Sequence, residues 1–494
     1  MLQTPEQRAM LAVLDHAPMG FAQRWYWLLS TGGTTLGGFS VFTLGVALPL
    51  LMQTFVIDAT MQGLLGAALL FGAVPGSLLG GPLADRFGRK PLMILDMAMI
   101  TLGALICVFA GSPEMLLVGL FIFGVGVGID YPVGSAYVAE WMPIQARSRM
   151  MVATIAFQAV GFVLAAALTG SVLWWVESAS AWRGFMLALA GLPLLYLVLR
   201  LPLKESPRWL MGKGRNLEAA RAIGAVVVTD KAKLEALGKA AAANVHLVAR
   251  DAEAVKTQGM AALFGRSYRR RTALACVPWF LMDIASYGIG LFTPLLLADL
   301  HFGKAARGPV ASGFSDIGGS SLIDLFLLIG FLIAFWVVPR YGHIRPQVLG
   351  FLGMAVGMVV LIAVLWTSGT AAPGAMAVFL GFVLFNLAMN IGPHSTTFAL
   401  PAELFPTQLR GAGSGFASAA AKVGAALGAF LLPIIRAEYG LEAVLLLVAV
   451  VSLAGALVTA WLVEELGGAA SLEDRHGDAI ASKPTDPKPA VRSA

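Results

Sequence analysis

Apolar residues fall along this chain in twelve blocks of bilayer length, broken by short polar turns. A helix needs about 20 such residues to cross the hydrocarbon of a membrane. The first six blocks lie at 25–51, 62–84, 91–111, 115–138, 149–173 and 182–201. The second six lie at 272–298, 319–339, 346–367, 374–400, 411–435 and 440–463. The pattern predicts an all-α integral membrane protein with twelve transmembrane helices in two six-helix halves, 1–203 and 272–466. Between the halves runs a polar linker, 204–271, in which Asn216 to Ile223 and the run from Lys231 suggest short amphipathic helices at the membrane surface. A Gly/Ala/Ser/Pro/Lys tail, 467–494, reads as disordered.

Composition agrees: 58% of residues are apolar, 13% are charged and the mean hydropathy is +0.79. A net charge of +6 would suggest nucleic acid in a soluble protein, but here the position of each cation matters more than the sum. Segments after even-numbered spans carry 22 Lys and Arg, fourteen of them in 204–271, against 4 after odd-numbered spans. Both termini and the linker are therefore expected on the cytoplasmic side. The first thirty residues contain Asp15, His16 and Arg24 and lack a short apolar core followed by a cleavage site, so no removable signal peptide is expected. The two cysteines, Cys107 and Cys276, lie in apolar spans without metal-ligand spacing. No phosphate-binding loop, zinc-ligand cluster or nucleophile elbow occurs, so neither catalysis nor ATP-driven transport is supported, and no cofactor or metal is expected.

The halves repeat. Glu140-Trp-Met-Pro143-Ile-Gln145-Ala-Arg147 follows the fourth span and Glu403-Leu-Phe-Pro406-Thr-Gln408-Leu-Arg410 the tenth, with four positions matched at identical spacing. A weaker echo joins Arg86-Phe-Gly88-Arg89 to Arg340-Tyr-Gly342-His343. Two parallel six-helix halves suit alternating access around a midplane site. Glu140 and Glu403 precede the loop cations Arg147 and Arg410 and are expected to form gate salt bridges. Asp96 is expected to pair with the loop after span two.

Against this apolar background a few buried polar residues mark candidate chemistry. Asp283 lies eleven residues into the seventh span, roughly 16 Å deep at 1.5 Å per residue. An acid at that depth is a functional-site candidate. Trp279, Asp283 and Tyr287 share a helix face at spacing four. Gln158 and Lys422 sit at similar depth in spans five and eleven, with Tyr131 and His394 somewhat nearer the cytoplasmic end. Lys422 is the candidate anion-attracting charge and Asp283 the candidate proton carrier, with Asp130 second. Protonating Asp283 would remove its repulsion of an anion and so couple the two.

Gly81-Pro-Leu83-Ala84-Asp85-Arg86-Phe87-Gly88-Arg89-Lys90 resembles, at every defining position, the signature loop of the major facilitator superfamily. There the loop is a conformational latch, the role implied for Asp85, Arg86, Gly88 and Arg89. Gly128-Ile-Asp130-Tyr131-Pro132, Lys204-Glu205-Ser206-Pro207-Arg208, the Trp279 to Tyr287 face and the segment Gly392 to Glu403 are similar to the metabolite and phosphate proton symporters, with sugar porters as near relatives. The resemblance implies anion contacts from Tyr131, Gln158, Trp279, Asp283 and Tyr287, with Lys422 as the lysine.

The sequence also departs from that family. Gly37 and Ser40 stand where the first span of these symporters has acids, His394 where the phosphate carriers have asparagine, and Pro339 where an aspartate is common. The expected function is a proton-coupled symporter in a bacterial inner membrane, acting as a monomer on phosphate or another small anion. A sugar, polyol or carboxylate carrier, an uncoupled facilitator, or a non-transporting receptor are the alternatives.

Overall fold

A computed structural model describes residues 4–465 except 56, 58, 177, 179, 244–259, 300–325, 369–374 and 406. The expected tail, the middle of the linker and the start of the eighth span lie outside the described residues. Every regular element among the described residues is helical.

The N-terminal half comprises α1 (Pro5–Asp15), α2 (Phe21–Ser30), α3 (Gly32–Thr54), α4 (Ala59–Phe87), α5 (Arg89–Val108), α6 (Pro113–Trp141), α7 (Ile144–Trp175) and α8 (Ala181–Arg200). The first span is α2 and α3 together, interrupted at Thr31. It therefore begins before the expected residue 25. Helices α4 and α5 are separated only by Gly88, whose φ of 109° is a left-handed-region value that glycine adopts without strain. Pro113 at the first helical position and the Ser112 hydroxyl, which accepts from the Met115 amide, start α6.

The linker holds α9 (Pro207–Gly212), α10 (Asn216–Val226), α11 (Lys231–Ala243) and a short 3-10 turn, Met260–Phe264. The C-terminal half comprises α12 (Arg269–Asp299), α13 (Phe326–Tyr341), α14 (Ile344–Ser368), α15 (Ala375–Ile391), α16 (Pro393–Leu404) and α17 (Thr407–Glu465). Helices α15 and α16 together make the tenth span, broken at Gly392. The run α17 turns at Gly440, φ 83°, and so supplies the eleventh and twelfth spans. Eleven helical stretches among the described residues are long and apolar enough to cross a bilayer, and α13 is a shorter apolar twelfth. The fold is the twelve-helix architecture expected. Helices run past the ends of the apolar blocks because intrahelical hydrogen bonds continue into the polar turns.

Helix packing within each half depends on small residues that let backbones approach. A Cβ on Gly38 would stand 2.1 Å from the Gln158 carbonyl oxygen, and one on Gly161 2.0 Å from that of Thr35, so α3 and α7 touch backbone to backbone. The equivalent pair in the second half repeats this: Gly424 and Gly428 of α17 would meet the carbonyls of Phe280 and Ile284 at 2.3 and 2.5 Å. These contacts bring the Gln158 and Lys422 helices against their partners. Between the halves, a Cβ on Gly81 would lie 1.9 Å from the Gly411 carbonyl oxygen, and the Ser77 and Ser418 hydroxyls are 3.0 Å apart.

The linker helices do not lie separately on a surface. Ala219, Ala220 and Ile223 of α10 and Leu234 of α11 are buried in the same core as Met10, Leu11 and Leu14 of α1. Gln7 of α1 donates to Asn216 at 2.9 Å. Asp15, at the end of α1, accepts from Arg147 at 3.2 Å and from Arg208. The N-terminal helix thus ties the linker to the turn between α6 and α7.

The two halves latch their turns differently. In the first, Arg89 contacts Asp85 and Glu140, each at 2.9 Å. In the second, His343 faces Glu403 at 3.1 Å. Burial alone would lower the His343 pKa, but the Glu403 carboxylate outweighs it and holds the imidazole above its ordinary value of 6.5. A raised histidine stabilises the contact fully below its unfolded pKa and loses that contribution as pH rises through the folded one. Raising pH from 6 upward should therefore weaken this latch. Thermal unfolding in detergent should show a pH-dependent loss that His343→Arg abolishes and His343→Gln converts to a uniformly lower value. An unchanged pH profile in His343→Gln would exclude the histidine as its source.

Candidate functional site

Seven residues picked from the sequence, Tyr131, Gln158, Trp279, Asp283, Tyr287, His394 and Lys422, are all buried, none more than 9% exposed. They come from α6, α7, α12, α16 and α17 and gather where the halves meet. Lys422 is the centre. Its ammonium lies 3.4 Å from the Asp283 carboxylate and donates to the Tyr287 hydroxyl at 3.2 Å. It also sits 4.6 Å from the Tyr131 ring centroid and 4.9 Å from that of Tyr287. A cation over aromatic faces in a desolvated place gains on the order of 2 kcal/mol. Because Tyr131 belongs to the first half and the other groups to the second, this cation is shared between them.

Around it the aromatic wall is continuous. Phe398 meets Tyr131 edge to face at 5.9 Å and Trp279 at 6.2 Å. On the other side the His394 Nε2 is 3.1 Å from the Gln158 side-chain oxygen, a second link across the halves. Its Nδ1 is 3.0 Å from Asn390. Gly37 stands directly against this wall: a Cβ there would be 3.2 Å from the Tyr131 hydroxyl. Ser40 turns its hydroxyl back to the Gly37 carbonyl at 3.0 Å. A first-span carboxylate at position 37 would have reached Tyr131, so the missing acid leaves Asp283 as the carboxylate on Lys422.

Asp130, adjacent to Tyr131 in sequence, is placed elsewhere. Its carboxylate lies 2.8 Å from Arg200 and accepts from the Gly33 amide at 2.9 Å. Asp96 binds the same guanidinium at 2.9 Å instead of pairing with the loop after span two. Arg200 also donates to the carbonyls of Leu29 and Met93. All three charged side chains are at most 2% exposed. Asp96 turns inward because α5 and α8 enclose it with a cation in reach, which the loop residues are not.

The gate residues meet partners that the sequence echo did not name. Glu140 pairs with Arg89, not Arg147, because α6 runs beside α5 and the turn after it carries Arg147 to Asp15. Glu403 pairs with His343, while Arg410 donates to the Ala402 carbonyl at 2.8 Å. Arg147 and Arg410 both act on Glu403 electrostatically, the first of them from the other half. Asp85 accepts from the Ala412 amide at 3.3 Å, another contact across the halves, and Arg86 lies over the Phe87 ring at 5.2 Å. Glu205 accepts from the Arg89 and Lys90 amides at 2.9 and 3.2 Å. Burial pushes the Glu205 carboxyl above its usual range, against these backbone donors and Arg89.

Arg200 and Asn390 are site residues that reading the sequence did not single out, and His343 and Phe398 entered it only as members of motifs. Arg200 was legible as a cation at the very end of an apolar block; its pairing with Asp96 and Asp130 was not, because they lie far away in sequence. Removing Arg200 strands two buried carboxylates. Arg200→Leu should lower stability by about 3–5 kcal/mol, and adding Asp96→Asn and Asp130→Asn should recover much of it. A thermal melt of Arg200→Leu that matches the parent would show that the cluster carries no such weight.

Comparison with known proteins bears on the family and the fold. The model of the family described as sugar (and other) transporter matches residues 29–473. The chain is 31% identical over 435 residues to the inner membrane metabolite transport protein YgcS of Escherichia coli, covering 88% of this chain and 89% of that protein. It is 27% identical over 427 residues to the 4-hydroxybenzoate transporter PcaK of Acinetobacter baylyi, covering 85% and 86%. In fold it is similar to the proton:xylose symporter XylE bound to 6-bromo-6-deoxy-D-glucose, with a TM-score of 0.74 at 19% identity over 88% of this chain and 94% of that one. The chain belongs to the sugar (and other) transporter family and is a membrane transporter of the major facilitator superfamily, not an enzyme.

Proposed function

We propose that this transporter is a proton-coupled symporter that imports a small anion, inorganic phosphate or a related anionic metabolite, by alternating access. The observation that carries the reading is the Lys422 ammonium, buried between Tyr131 of one half and Asp283 and Tyr287 of the other. With Asp283 ionised, Lys422 is neutralised from within. When Asp283 takes a proton, the ammonium is left with aromatic and hydroxyl neighbours and attracts an anion in place of the carboxylate. Release of that proton on the far side restores the internal pair and expels the substrate. On this reading Tyr131, Gln158, Trp279, Tyr287 and His394 surround the anion, and Asp85, Arg86, Gly88, Arg89, Glu140, Arg147, Glu403 and Arg410 hold the gate. The protein works as a monomer in the inner membrane of a bacterium, with both termini in the cytoplasm.

A second reading, a carrier of a sugar, polyol or carboxylate or an uncoupled facilitator, has one observation in its favour. Gly37 and Ser40 supply no first-span acid, and the family description places sugars first.

The test is uptake of labelled phosphate into proteoliposomes under an imposed proton gradient. Asp283→Asn should abolish gradient-driven accumulation while leaving exchange across the membrane. Lys422→Gln should raise the half-saturation concentration about 10-fold or more, since a hydrogen bond to a charged group is worth about 1.5–3 kcal/mol. Gradient-driven accumulation that survives both substitutions would remove the coupling assignment. Equal rates with and without the gradient would favour the facilitator.

A further inference from the structure

The hydrogen bonds around His394 fix which of its nitrogens carries the proton. Asn390 donates its side-chain nitrogen to the Asn386 carbonyl, four residues earlier in α15, at 2.7 Å. A carbonyl only accepts, so that end of the amide is the nitrogen and the oxygen end faces His394. That oxygen lies 3.0 Å from Nδ1 and can only accept in turn. Nδ1 must therefore hold the hydrogen. In a neutral ring this leaves Nε2 with a bare lone pair, aimed at Gln158 of the opposite half at 3.1 Å. Phe331 packs against the imidazole at 5.2 Å and helps hold its plane. The Gln158 side-chain oxygen stands at that position, and two acceptors cannot bond. Among the described residues no other hydrogen bond fixes the Gln158 amide, so turning it over presents its nitrogen to Nε2, and the same amide can move aside when a better donor arrives.

The geometry points to His394 Nε2 as the acceptor for a substrate hydroxyl, set in that role by Asn390 as a positioning residue, so that the site selects anions that still carry an O–H group. This deepens the anion reading above and rests on it. Lys422 takes a charged oxygen, and His394 takes the hydrogen of a protonated or hydroxyl oxygen on the same molecule. Hydrogen phosphate and 2-hydroxycarboxylates meet both demands. Sulfate and simple carboxylates meet only the first and leave Nε2 facing an oxygen that repels it. Leaving a buried acceptor unmet is enough for roughly a 10-fold preference.

The experiment uses the full-length protein in detergent and two readouts. Calorimetric or thermal-shift titration compares phosphate with sulfate, and lactate with propionate, at one pH near neutrality. Nitrogen-15 spectra of histidine-labelled protein, with the His394 signal identified by its loss in His394→Asn, report the tautomer. We expect phosphate over sulfate and lactate over propionate by about 10-fold, with Nδ1 protonated and Nε2 bare. Asn390→Leu should mix the tautomers and cut the preference toward parity while sulfate affinity holds. His394→Asn, whose amide can present either end, should do the same to the preference and serves where Asn390→Leu does not fold. If the anions bind without preference, or Nε2 carries a proton in the parent, this inference falls and the anion site stands. If none of the four binds, the inference falls together with the anion reading.

Discussion

A lysine ammonium held in the hydrocarbon layer is the constraint on which the rest of this structure depends. Left alone there, Lys422 would cost several kcal/mol. Asp283 and Tyr287 cover it from its own half, and the face of Tyr131 covers it from the other. The pairing requires α12 and α17 in close contact, which Gly424 and Gly428 permit by removing the side chains that would keep the helices apart. It also requires the halves to close, since Tyr131 arrives only across the interface. Asp283 neutralises the cation within its own half and closure adds the Tyr131 face, so a change of charge on Asp283 changes the energy of closure.

The first half contains a second buried ionic cluster of a different kind. Asp96, Asp130 and Arg200 belong to α5, α6 and α8, all within one half, with the Gly33 amide as a further partner. Nothing in this cluster crosses the interface, so rocking of the halves does not break it. It fixes α6 at Asp130, and the next residue, Tyr131, is thereby held where Lys422 finds it. The gate ionic contacts divide similarly. Arg89 with Asp85 and Glu140 braces the first half internally, whereas the Asp85 to Ala412 contact and the field of Arg147 on Glu403 act between halves and must yield when the halves part on that side.

Twelve spans, two halves and the depth of the polar residues were legible because bilayer thickness imposes a block length that the sequence cannot hide. Trp279, Asp283 and Tyr287 could be placed on one face by helical spacing, and Lys422 near them by depth alone. Partner choice was not legible. Glu140 precedes Arg147 in sequence yet meets Arg89, and Asp96 lies near a cationic loop yet meets Arg200, because side-chain partners are set by which helices lie side by side. The N-terminal helix α1 also escaped a search for long apolar blocks. It is short and amphipathic, and its burial comes from α10 and α11, themselves too polar to register as spans.

The absence of an acid at Gly37 has a consequence for charge balance at the site. In the closed form one ammonium faces one carboxylate, so the internal pair is neutral without substrate or proton. A second carboxylate on α3, beside Tyr131, would make the site net negative unless it were protonated, and would tie binding of an anion to uptake of more than one proton. On the proposed reading, the smallest neutral cycle with glycine there is one proton on Asp283 for one negative charge on the substrate. A monoanion then moves without net charge, whereas a dianion must bring a further cation or enter against an inside-negative membrane potential. On the same reading, the charge on the transported species, rather than its size or shape, is what Gly37 restricts.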